Sequence, residues 1–165
     1  MTVDRIFISP EPGGSQVEQR QVTVIAGSGI EGDRYFGRKD EPCQNLTLIE
    51  AEEVESFIRE HRRPQDLSIT HRNILTRGVR LNDLVGVEFM VGDVQLRGVE
   101  LCEPCLGMGE ALSSAELVPS GVVKHFLHRG GLRAAVLSSG VIALGAKVTS
   151  SISGRLASVP LGVDR

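Results

Sequence analysis

"VGVEFMVGDVQLRGVEL", residues 85–101, decides the class of fold. Apolar and polar positions alternate through it, the period of a strand with one face buried. The "VGDV" at its centre has the size and chemistry of a tight connection between antiparallel strands. A hairpin is therefore expected here, and the remaining segments are read around it.

Similar short runs recur on both sides. "VDRIFIS" (3–9) reads as a first strand and "VEQRQVTVI" (17–25) as a second, joined through the turn "PEPGGSQ". "QNLTLIE" (44–50), "LSITHRNIL" (67–75) and "LRAAVLSSGVIALGAKVTS" (132–150) extend the strand-rich pattern. Two stretches break it. "EAEEVESFIREHRR" (50–63) places Ala51, Val54, Phe57 and Ile58 at helical spacing, with acids early, Arg late and a stop before Pro64. "ELVPSGVVKHFLHRGG" (116–131) holds a shorter helix with Val122, Val123, Phe126 and Leu127 as its apolar stripe. Strands outnumber helices and no regular strand–helix alternation appears. The expected fold is mainly β (α+β), an antiparallel barrel-like sheet with two or three peripheral helices. The chain, 165 residues long, is expected to form one domain, with 150–165 as a loosely held tail.

Composition narrows the function classes. Apolar content is 41%, charged content 24% and the formal charge −3, which marks a globular chain and excludes a nonspecific nucleic-acid binder. "MTVDRIFISPEPGGSQ" has an early acid and no apolar core of signal-peptide length, and no run approaches a membrane span, so a cytoplasmic location without membrane contact is expected. Only Lys39, Lys124 and Lys147 accompany 15 arginines among the 18 basic residues. Arg offers a planar fork for phosphates and flat heterocycles, whereas Schiff-base chemistry needs Lys. The irregular "AGSGIEGDRYFGRKDEPC" (26–43), rich in glycine and mixed charge, has the length of a functional loop.

The cysteines lie in two places: Cys43 in that loop, and Cys102 and Cys105 in "RGVELCEPCLGMGEAL" (97–112). One C-x-x-C lacks the second half of a structural zinc site, and His61, His71, His125 and His128 form no complementary motif. The pair His125 and His128 reads as a surface or packing feature. A thioredoxin-like dithiol would open a helix, and Gly107 and Gly109 make "EPCLGMGEAL" (103–112) a poor helix start. The remaining readings are a packed cysteine or a single working thiolate, a soft metal ligand and sulfur acceptor.

Four motifs in register, "GIEGDRY" (29–35), "QNLTLIEAEEVE" (44–55), "HRNILTRGVRLNDLVGVEFMVGDVQLRGVELCEPC" (71–105) and "HRGGLRAAVLSSGVIALGAKV" (128–148), resemble the MOSC domain, named for the C-terminal part of molybdenum-cofactor sulfurases. The resemblance covers residues 15–149. It implies a β-barrel-like fold and a cysteine, matched by Cys105, that carries sulfur to the molybdenum cofactor or ligates its metal. It places Asn73 beside the pterin and brings Gly32, Asp33 and Arg34 to the site mouth; Arg34 and Arg72 suit its phosphate. Tyr35 stands where many relatives have His. The sulfurases' pyridoxal-phosphate desulfurase domain has no counterpart here, so this chain is expected to bind no pyridoxal phosphate and to depend on a separate cysteine desulfurase, or on a molybdoenzyme or electron-donor partner. Three readings stay open: a sulfur or cofactor carrier acting through a Cys105 thiolate or persulfide, a molybdoenzyme reducing N-hydroxylated compounds, and a non-catalytic binding module.

Overall fold

The computed structural model describes residues 1–38 and 45–150. The hairpin forms where expected: β7 (Glu88–Val91) and β8 (Val94–Leu101) pair antiparallel around a Gly92–Asp93 turn, Val91 opposite Val94. They belong to an eight-stranded sheet in the order β11 (Val148–Ser150), β7, β8, β9 (Leu132–Val136), β5 (Leu46–Glu50), β6 (Ile74–Arg77), β1 (Thr2–Ile8), β2 (Val17–Gln19). A second sheet runs β10 (Gly140–Ala143), β3 (Gln21–Ile25), β4 (Gly29–Ile30). The large sheet curls far enough for Thr2 to bridge Lys147 and for the Val3 amide to donate to the Ala146 carbonyl, 2.9 Å away. This is the barrel-like architecture the alternation implied.

One pair departs from the antiparallel rule. β5 and β6 run parallel, joined through α1 (Ala51–Glu60), because a parallel neighbour requires a long crossover. Both strands are covered on both faces. Leu48 and Ile74 point into the barrel core with Ile6, Phe89 and Leu96, while Ile49 and Leu75 point out to a second core with Phe7, Phe57, Val122 and Phe126. That double burial explains the adjacent apolar pairs Leu48–Ile49 and Ile74–Leu75, where a strand with one solvated face would alternate. Ala51, Val54, Phe57 and Ile58 are all buried, as the helical spacing of α1 required, each larger side chain contributing about 1.5–3 kcal/mol of transfer free energy.

Four local readings change. Residues 17–25 form two strands: β2 pairs with β1 and β3 with β10, the break falling at Arg20. In the 67–75 segment only Ile74 and Leu75 are strand; Leu67–Thr70 is a 3-10 turn capped by the Asp66 side chain. The helix in 116–131 is α3 (Pro119–Phe126), which buries Val122 and Phe126, but it stops before Leu127, which is exposed. Residues 106–112 are helical after all, as α2 (Leu106–Leu112) with Cys105 at its N-cap. Gly109 sits in this helix because α3 lies against it: a Cβ there would come within 2.8 Å of the Pro119 carbonyl oxygen. The cost of glycine in a helix is offset by the close packing it permits. Cys43 and the 151–165 part of the expected tail lie outside the described residues.

Candidate functional site

Where β5 and β6 begin and β8 ends, the loop after β4 folds over the barrel rim. The cleft formed there, about 50 Å³, is lined by Arg34 and Tyr35 of the loop, Asn45 and Thr47 of the β5 entry, His71, Arg72 and Asn73 of the β6 entry, Cys102 just after β8, and Arg133 of β9. Its size admits a few waters or one compact ionic group. A larger open cleft, about 670 Å³, lies along α1 between Glu50, Glu53, Arg80 and His128 and contains none of the residues expected at the site.

The loop is pinned by Asp33. Its carboxylate is buried and accepts from the amides of Ser9 (2.9 Å) and Tyr35 (3.1 Å) and from Asn73 Nδ2 (3.2 Å). Asn73 in turn donates to the Phe7 carbonyl (3.3 Å) and accepts at Oδ1 from the Thr47 amide (3.1 Å) and hydroxyl (2.9 Å). A carboxamide has two donor hydrogens and two acceptor lone pairs, and here all four are engaged. Asn73 therefore joins β1, β5, β6 and the loop, and has no hydrogen-bonding capacity left for a heterocycle. Asp33 and Asn73 shape the cleft. Gly32 is exposed in the turn beside them and is not among the lining residues.

The groups that face a ligand are cationic. Arg34 stacks on the Tyr35 ring, 4.7 Å from its centroid. Arg72 donates to the Gly130 carbonyl (2.9 Å) and the Thr70 carbonyl (3.3 Å), which fixes its guanidinium without neutralising it. Among the described residues no carboxylate pairs with either; Arg133 has Glu100 at 3.6 Å. His71 stands at the cleft rim. Partial desolvation of its ring, followed by the charges of Arg34 and Arg72, holds its pKa below the usual value. At Cys102 burial raises the thiol pKa, and the charges of Arg72 and Arg133, which lower it, do not offset that. Cys102 is thus a buried, protonated thiol in the cleft wall. Cys105 is exposed at the N-cap of α2, outside the cleft lining but only three residues on.

Arg34 and Arg72 thus meet as expected, and His71, Cys102 and Arg133 join them. The alternation of "LRAAV" puts Arg133 on the face opposite Leu132 and Ala134, but nothing local to it signals the cleft. One more group stands there: Asn45 Nδ2 is buried and has no hydrogen-bond partner among the described residues. The Arg34 and Arg72 guanidiniums, which no carboxylate pairs with among the described residues, the Asn45 amide donor and the nearby thiols suit a ligand with an anionic end and a soft metal, as in a molybdenum-bearing pterin phosphate.

The family model that fits this barrel is that of a molybdenum-cofactor-related domain. The chain belongs to the MOSC domain family, whose model matches residues 33–149. Its fold is similar to that of the YUAD protein from Bacillus subtilis, at 20% identity over 90% of this chain and 94% of that one, with a TM-score of 0.75. It is similar also to YiiM from Geobacillus stearothermophilus (16% identity, 90% and 74% covered, TM-score 0.68) and YiiM from Escherichia coli (17%, 91% and 70%, 0.60). No curated protein matches the chain in sequence. Among the described residues no helix is long and apolar enough to cross a membrane.

Proposed function

We propose that the chain binds the molybdenum cofactor with its phosphate in the rim cleft, which fits one compact ionic group, and the rest of it over the rim, and carries or transfers sulfur to it through Cys105. The observation that carries this reading is the convergence of Arg34, Arg72 and Arg133 on a cleft whose wall is Cys102, three residues before the exposed Cys105 thiol. Arg34 and Arg72 would hold the cofactor's phosphate, with Asn45 donating from the wall. The cofactor, when bound, supplies the metal chemistry. The chain's part is to hold the anion, keep Arg72 fixed through the Gly130 and Thr70 carbonyls, and present a thiol. Cys105 is the better sulfur acceptor of the two because a thiol must be reached by the donor protein, and Cys102 is enclosed and protonated. Loading leaves the donor's persulfide as a thiolate and Cys105 as the new persulfide, with no net redox change; onward delivery of that sulfur as sulfide takes two electrons from a second thiol, which attacks Cys105 and leaves a disulfide.

The test is made on protein purified from a host that produces the cofactor. Molybdenum and oxidised-pterin fluorescence in equal amounts, lost in Arg72→Ala, support binding. A one-sulfur mass gain on Cys105 after exposure to a cysteine desulfurase and cysteine, absent in Cys105→Ser, supports the carrier. Tightly held cofactor with no such adduct moves the assignment to a molybdoenzyme with an external electron donor, and neither signal moves it to a binding module.

A further inference from the structure

The C-terminal end of α1 meets α3, and three ligating side chains come together there. The nitrogens of His61 and His125 and a carboxylate oxygen of Glu60 all lie within 4.8 Å of one another. Glu60 Oε2 is 2.9 Å from His125 Nδ1 and 4.0 Å from His61 Nε2. The two imidazoles stand edge to face, centroids 5.5 Å apart, both against the Phe57 ring. His125 is the anchor: its side chain is only 7% exposed and its Nε2 has no hydrogen-bond partner among the described residues. The cluster opens onto a groove of about 520 Å³ lined also by Lys124 and Arg129, and Arg129 lies 3.7 Å from Glu53.

We propose that Glu60, His61 and His125 form a binding site for one divalent transition metal of the zinc type, with the fourth coordination position open to the groove. Two imidazoles and a carboxylate are a recurrent zinc donor set, and such ligands sit about 2.0–2.2 Å from the metal. Ligand atoms in a tetrahedral site are then somewhat over 3 Å apart, so the observed spacings need only side-chain adjustments of around an ångström. The Glu60 carboxylate brings a negative charge to the cluster that a bound cation would meet. The bound ion would tie the end of α1 to α3, and α3 packs on α2, which carries Cys105 at its N-cap. His128, three residues after His125, is not part of the site; it turns away to Glu103, 3.0 Å from Nδ1.

The experiment uses the full chain, stripped with a chelator and titrated with Co²⁺, followed by Zn²⁺ displacement and calorimetry. The expected result is one equivalent bound, with the visible absorption of four-coordinate Co²⁺ and a rise in the unfolding midpoint. His61→Ala and Glu60→Gln, neither of them fully buried, weaken binding by at least about 100-fold, the upper end of what outer-shell changes cost. His125→Ala does the same if it folds, and Cys102→Ala and Cys105→Ser leave affinity unchanged. Absence of saturable binding, equal affinity in the His61 and Glu60 variants, or a thiolate-to-cobalt charge-transfer band lost on cysteine replacement would each overturn the assignment.

Discussion

Replacing Asn73 with alanine is expected to damage the fold rather than a ligand contact. The side chain satisfies the Phe7 carbonyl, the Thr47 amide and hydroxyl, and one oxygen of Asp33. Asp33 keeps the Ser9 and Tyr35 amides, and the Thr47 hydroxyl can rotate, so two backbone groups are orphaned. An unsatisfied buried polar group costs about 1–3 kcal/mol, and half-buried Thr47 lies at the lower end. The loss is therefore about 2–4 kcal/mol, or roughly 5–15 °C in Tm for a chain of this size. Urea unfolding followed by far-UV circular dichroism reads it as a lower midpoint at unchanged slope. Asn73→Asp keeps the shape but places a second carboxylate 3.2 Å from Asp33 and removes both donors, so at neutral pH it is expected to be at least as unstable and to recover partly in acid. A loss below about 0.5 kcal/mol for Asn73→Ala would refute the reasoning, because it would show that these bonds are replaced by water at no cost.

Stability is expected to fall as pH drops below 6.5, the ordinary value from which His71 and His125 are both lowered by burial. The unfolded chain then binds those protons first, so stability is complete above 6.5 and declines towards the lowered values. The slope from His125 is at most about 1.4 kcal/mol per pH unit, with a smaller contribution from the exposed His71. Urea midpoints between pH 7.5 and 5.5, with chelator present, test this, and a flat profile contradicts it. Gly131→Ala is expected to cost about 3–5 kcal/mol, since φ is +101° there and a Cβ would come within 2.0 Å of the Leu48 carbonyl oxygen; soluble yield and urea midpoint report it. Cys105→Ser is expected to change stability by less than about 0.5 kcal/mol, because the side chain is exposed and makes no capping bond, whereas Cys102→Ser buries a hydroxyl and costs more; paired unfolding curves separate the two.

Sequence alone determined the strand-rich barrel, the amphipathic helix over Ala51–Glu60 and the family motifs, because alternation, helical spacing and turn chemistry are local properties that each window carries in full. Arg34 and Arg72 were legible for the same reason, being embedded in quoted motifs. Tertiary structure decided what locality cannot express. Gly107 and Gly109 argue against a helix until α3 is seen pressed on Gly109. The parallel pairing of β5 with β6 depends on which strands the crossover brings together. Asn73 reads as a ligand group until β1, β5 and the 33–35 loop fill all four of its hydrogen-bonding positions. The cleft of Arg34, His71, Arg72, Cys102 and Arg133, and the cluster of Glu60, His61 and His125, each join residues separated by some sixty positions or more in the chain. Only closure of the barrel and docking of its helices bring those charges and ligands within reach, since convergence in space leaves no periodic trace in sequence.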